Sequence, residues 1–131
     1  VYYNPDATPA QRKSAWRELE KQYLPHKNYE GCDFLERGGW WFQQSHIFGS
    51  PFYYIDYTLA QICALQFWKR MHDNQEVAWN DYVRLCEVGG TKSFLGLVEY
   101  ANLKSPFEDG CVSSIITDIK AWLDAVEDQQ L

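Results

Sequence analysis

Residues 38–73, GGWWFQQSHIFGSPFYYIDYTLAQICALQFWKRMHD, decide how this chain folds, because large apolar rings, a histidine and a tyrosine cluster crowd into one stretch. The stretch reads as two helices meeting at a corner. The first is expected from about Trp40 to Phe48, with Gly49 as a left-handed stop. Ser50-Pro51 opens the second: a serine oxygen accepts from the unpaired amide hydrogens, and proline sits at the first helical position, where its missing N–H costs nothing. That helix can run to about His72, roughly 30 Å at 1.5 Å per residue. It is apolar nearly all round, with Ile55, Leu59 and Ile62 on one side and Tyr53, Tyr57, Ala60, Ala64 and Met71 on another, the pattern of an interior helix. Asp56, Gln61, Gln66, Lys69 and Arg70 interrupt it too often for a membrane span. At helical spacing lie Tyr54, Tyr57, Thr58 and Gln61, a strip able to line a polar cleft.

Working outward, every flank is helical. Thr8-Pro9-Ala10-Gln11 is a capping box with proline at the first position, opening a helix to about Tyr23 with Trp16, Leu19 and Tyr23 on one face; Pro25 ends it. Asp33-Phe-Leu-Glu36 repeats the pattern for a short helix that Gly38-Gly39 stops. Beyond the central helix, residues 73–76 (DNQE) open a helix with Ala78, Trp79, Tyr82, Leu85 and Cys86 inward, closed by Gly89-Gly90. A shorter helix is expected from about Ser93 to Tyr100. Ser105-Pro106-Phe107-Glu108 is a strong cap for a last amphipathic helix with Cys111, Ile115, Ile119, Leu123 and Val126, whose first turns Gly110 weakens. No stretch alternates in the manner of a strand. The fold class is all-α, a helical bundle, expected as a single domain over residues 1–131.

Composition narrows the function classes. A formal charge of −6 offers no electrostatic footprint for nucleic acid or an anionic membrane surface. Val1-Tyr-Tyr-Asn-Pro lacks the basic start, apolar core and cleavage site of a secretory signal, and with no initiator methionine the chain is expected to be a piece of something longer. Cys32, Cys63, Cys86 and Cys111 are too widely spaced for a CxxC pair and are expected as reduced, buried small hydrophobes in a cytoplasmic protein.

The run from His46 to Gln61, HIFGSPFYYIDYTLAQ, preceded by Gln43-Gln44-Ser45, closely resembles the C-terminal segment of the oligoendopeptidase F branch of the thimet-type zinc peptidases. Residues 3–31, the GGWW run at 38–41, CEVGGTKSF at 86–94 and ANLKSPFEDG at 101–110 resemble the same branch in the same order. The resemblance implies that His46 and the tyrosines Tyr54 and Tyr57, with Tyr53 beside them, bind substrate and stabilise the tetrahedral intermediate of peptide hydrolysis. It also implies an all-α parent enzyme that cuts short oligopeptides with zinc held by HExxH. It does not divide the work among the three tyrosines.

This chain contains no HExxH: none of His26, His46 or His72 precedes a glutamate, and no two are four residues apart. The chain alone is therefore expected to bind no zinc and to cut no peptide, zinc belonging to the parent. Taken without the resemblance, Tyr-Tyr-x-x-Tyr on a buried helix is core, His26 and His72 serve helix ends, and Trp40, Trp41, Trp68 and Trp79 belong to the core. Asp56 is either a partner for Arg70 or a solvated carboxylate. Two functions follow: the His/Tyr wall of a zinc oligopeptidase, or a non-catalytic helical module that binds peptides or a partner. A wall separated from its catalytic half would expose an apolar face and self-associate.

Overall fold

In a computed structural model that describes residues 3–126, seven α-helices and two 3-10 turns carry the chain, with no strand among the described residues. They fall into two compact units, one up to Tyr54 and the other from Ile55.

The first unit begins with α1 (Pro9–Tyr23), where the capping box forms as expected: the Thr8 hydroxyl accepts from the Gln11 amide and the Gln11 side chain accepts from the Thr8 amide. Its inward residue is not the one expected. Leu19 and Tyr23 are 53% and 71% exposed, whereas Glu20 is buried. Glu20 can point inward because the Tyr29 hydroxyl donates to it at 2.6 Å and Lys27 at 3.3 Å, so the carboxylate arrives with partners. Lys27 also stands 3.9 Å from the centre of the Trp40 ring, and Tyr29 lies against the same ring.

After α2 (Asp33–Glu36), Gly38 takes a φ of +87°, and a Cβ there would lie 1.9 Å from the Lys13 carbonyl oxygen of α1. Only glycine satisfies both conditions. The single helix expected from Trp40 to Phe48 is instead two pieces, a 3-10 turn Gly39–Gln43 and α3 (Ser45–Gly49), broken at Gln44. The reason is aromatic. Seven residues of continuous α-helix would carry Trp41 and Phe48 about 10 Å apart along the axis, yet their ring centres are 5.1 Å apart. Gly49 is the last residue of α3 rather than a left-handed stop; the left-handed residue is Phe52, at φ +67°.

Phe52 also corrects the start of the second unit. Residues 51–54 form a turn, so Ser50-Pro51 caps no helix, and α4 begins at Ile55 and ends at Asp73. The expected helical strip therefore loses Tyr54. Nor is α4 buried all round: Ile55 and Tyr57 are more than half exposed, and its one buried residue is Gln66. Its principal neighbours within the unit are α5 (Gln75–Val88) and α7 (Cys111–Ala125). Asn74 caps α5 by accepting from the Val77 amide, and Ser93 caps α6 (Phe94–Tyr100) by accepting from Gly96.

The face of α5 that turns inward carries Ala78 and Asp81, while Trp79 is 53% exposed and Cys86 is exposed, against expectation. Asp81 is drawn inward by its partners: Arg70 of α4, Arg84 at 3.2 Å and the Asn102 amide at 3.0 Å. Arg70 thereby pairs with Asp81, not Asp56, and donates a second bond to the Ala101 carbonyl at 2.8 Å. Val98, Ala101 and Leu103 form the apolar centre, with Cys63, Phe67 and Leu85 packed on it. The Gln66 side chain donates to the Lys104 carbonyl and accepts from the Lys104 amide. The Ser105–Glu108 pattern makes a turn, and α7 starts three residues later at Cys111. All four cysteines are free; Cys111 is buried, Cys63 half-buried, and Cys32 and Cys86 exposed, so the latter pair are not core hydrophobes.

Candidate functional site

His46 sits on α3, a helix of one turn, and the chain then doubles back through Ser50. The Ser50 amide donates to the His46 carbonyl at 2.9 Å, and the Tyr53 amide donates to the Ser50 carbonyl at 3.2 Å. With Phe52 left-handed between them, this double turn folds residues 53 and 54 onto the histidine. The imidazole lies 5.0 Å from the Tyr54 ring and 6.1 Å from the Tyr53 ring, the planes inclined by 26° and 11°. A three-ring stack results.

Tyr53 and Tyr54 are 50% and 48% exposed and His46 is half-buried, so the stack lies partly open to solvent. Chemically it offers two phenol hydroxyls, which donate or accept, and an imidazole, which does both. Tyr57 follows on the next element. It stands in the first turn of α4, in the second unit, and is 54% exposed. Of the four residues singled out in the sequence, His46, Tyr53 and Tyr54 are brought together within the first unit, and Tyr57 stands at the start of the second.

The sequence did not single out what supports the stack. Phe48, on the same helix as His46, stacks on Trp41 and on Phe42, and Phe42 on Phe34, where Lys13 lies over both phenylalanine rings. The density of rings in GGWWF and HIF was the available signal.

Two of the concavities are lined by neither His46 nor Tyr53, Tyr54 or Tyr57. One, of about 570 Å³ beside the first turns of α1, is lined by Lys13, Arg17, Glu36 and Arg37, but Arg17 already donates to Glu36 at 2.8 Å. The other, about 410 Å³ in the second unit, is an apolar groove lined by residues such as Cys63, Phe67, Leu85 and Phe94. Burial pushes the Cys63 thiol up, so it stays protonated and unreactive there. Among the described residues no group of three or more His, Cys, Asp or Glu side chains could hold a metal ion, so the residues present do not fit zinc. No helix there is long and apolar enough to cross a membrane.

No protein-family model and no curated protein matches this sequence. Solved structures do. An oligoendopeptidase F is 58% identical over 100% of this chain, with a TM-score of 0.84, the match occupying 23% of the longer chain. PZ peptidase A, solved with an inhibitor, is 61% identical over 97% of this chain and 23% of its own, with a TM-score of 0.83. An oligoendopeptidase F from Bacillus anthracis strain Ames is 57% identical over 100% of this chain and 20% of its own, with a TM-score of 0.69. The chain therefore spans about a fifth to a quarter of the length of the structures it matches.

Proposed function

This chain is a relative of oligoendopeptidase F, matching the C-terminal region of that larger protein along its whole length, and from that premise we propose that it forms the His/Tyr wall of a zinc metalloendopeptidase that hydrolyses short oligopeptides. The observation that carries this reading is the stack of His46 on Tyr53 and Tyr54, half-exposed, three residues ahead of Tyr57. His46, Tyr53, Tyr54 and Tyr57 bind the peptide; Tyr54, Tyr57 and His46 also serve the reaction.

The chemistry follows from where charge develops. When water adds to a peptide carbonyl, the oxygen becomes an oxyanion, and a phenol hydroxyl aimed at it donates a stronger hydrogen bond than it gave to the neutral carbonyl. That gain appears only in the transition state. A tyrosine ring fixes its hydroxyl well, since two torsions place it and stacking on an imidazole restrains both. Zinc, on this reading, is held by residues outside this chain, whose own part is binding, orientation and charge stabilisation. The four free thiols accord with a cytoplasmic location.

The test is kinetic and uses the peptidase that carries this segment. Tyr57→Phe keeps the ring and removes only the oxygen; losing one such donor costs about 3 kcal/mol, roughly a hundredfold in kcat, with Tm nearly unchanged. His46→Ala is expected to lower kcat/KM. Wild-type kinetics in both variants would return these residues to a structural role. The apolar groove of the second unit favours a second reading, a non-catalytic helical module that binds a peptide or partner, and it also supports self-association of the chain by itself. An in-frame HExxH upstream in the gene decides for the peptidase, and a clean monomer by light scattering removes the self-association.

A further inference from the structure

Helix α3 has five residues, too few to be stable alone, and no side chain caps its N-terminus. Something outside its backbone must hold it. His46 and Phe48 are two positions apart, about 200° around a helix, so they leave α3 on opposite sides. One side carries the imidazole against Tyr53 and Tyr54. The other carries Phe48 against Trp41 at 5.1 Å and Phe42 at 6.0 Å, with interplanar angles of 27° and 6°. Phe42 continues onto Phe34 at 5.9 Å, and Gly39 permits this, since a Cβ there would fall 2.4 Å from the Phe34 ring.

A row of rings thus lies on the side of α3 opposite the imidazole. We propose that Phe48 is a positioning residue for His46: seated on Trp41 and Phe42, it fixes the rotation of α3 about its axis and so holds the imidazole flat against Tyr53 and Tyr54. This rests on the reading of His46 and the tyrosines as a site, but its structural half can be measured separately. Phe48 is 54% exposed, so its ring acts through stacking geometry more than through burial, and an aliphatic side chain of similar volume does not replace it.

The experiment compares Phe48→Leu with Phe48→Tyr, which restores the ring and can point its hydroxyl to solvent. In this chain, the His46 ring-proton resonances report the stack by NMR: Phe48→Leu should move them downfield as the imidazole leaves the tyrosine faces, and Phe48→Tyr should leave them in place. In the peptidase, Phe48→Leu should lower kcat/KM about tenfold, chiefly in kcat, since misplacement of about 1 Å costs up to about a hundredfold, while Phe48→Tyr stays within about twofold of wild type. If Phe48→Leu changes neither resonances nor rate while Tyr57→Phe still slows turnover, the positioning inference is wrong and the site reading stands. If Tyr57→Phe and His46→Ala turn over normally, the site reading fails, and the resonances alone decide whether Phe48 orients the ring. Should Phe48→Leu unfold, a Phe48→Tyr protein with displaced His46 resonances overturns the inference and one with native resonances supports it.

Discussion

Glu20 and Asp81 are both buried carboxylates, one in each unit, and they are held by different means. Glu20 is held locally: its Oε1 accepts from Tyr29 and Lys27 in the loop that follows its own helix, and Arg17 of the same helix lies 3.6 Å from its Oε2. Asp81 gathers Arg70 from α4, Arg84 from its own helix and Asn102 from beyond α6. The second unit is therefore tied across three segments at one oxygen-rich point. The first relies on ring stacking and close backbone approach to place α2, α3 and the turns between them.

Removing Asp81 should break that contrast most strongly. Asp81→Ala removes the buried carboxylate that pairs with the largely buried Arg70 and the more exposed Arg84, and loss of one member of a buried pair costs about 3 kcal/mol. Urea melts followed by far-UV circular dichroism should show early loss of the α4–α6 helices; a wild-type midpoint would mean that apolar packing alone holds the unit. Next is Gly38→Ala in the first unit, which meets both the Lys13 carbonyl and an unfavourable φ and should cost about 2 kcal/mol. Near-UV dichroism from the Trp41–Phe42–Phe48 stack should fade first, and an unchanged aromatic band would show that the turn is not pinned to α1.

Caps give smaller effects. Thr8→Ala and Asn74→Ala should each cost about 1 kcal/mol, the first fraying only α1 and the second lowering the midpoint of the whole second unit, as proteolysis of the two variants would display. Mild acid is the gentlest perturbation. Burial opposes the charge on Glu20, but hydrogen bonds from Tyr29 and Lys27 and the Lys27 charge outweigh it, and hydrogen bonds from Arg70 and Asn102 hold Asp81 below the usual carboxylate range. Both depressed carboxyls give their full stabilisation above about pH 5 and lose it as pH falls below about 4 through their folded values. Thermal melts at a few pH values in that window should show both units weakening together; a Tm that rises on acidification would contradict both carboxylates.

The long helices were legible because their signals are local. The capping box at Thr8 and the cap pattern at residues 73–76 each need only three or four neighbouring residues, although the cap there is Asn74 and not Asp73. The inward carboxylates were not legible, since Asp81 finds Arg70 and Asn102 at sequence distances of 11 and 21. At Ser105–Glu108 a good cap pattern closed a turn on itself instead of starting a helix, and at Gln44 ring stacking overrode helical continuity. For the site, the resemblance named His46, Tyr53, Tyr54 and Tyr57; the contact of His46 with the first two depends on a left-handed Phe52, which no sequence rule assigns to phenylalanine.

Gln66 treats the backbone of Lys104 as a complementary amide, giving one hydrogen bond of 2.9 Å and taking one of 2.8 Å. Lys104 lies in a loop, where amide protons normally exchange with solvent within the fastest class. Here its proton is released only when the side chain of a residue in the middle of α4 lets go. The Lys104 amide should therefore exchange on the timescale of α4 itself, so that loop and helix open as one cooperative element. Gln66→Ala would set that proton free while the helix amides around it kept their protection.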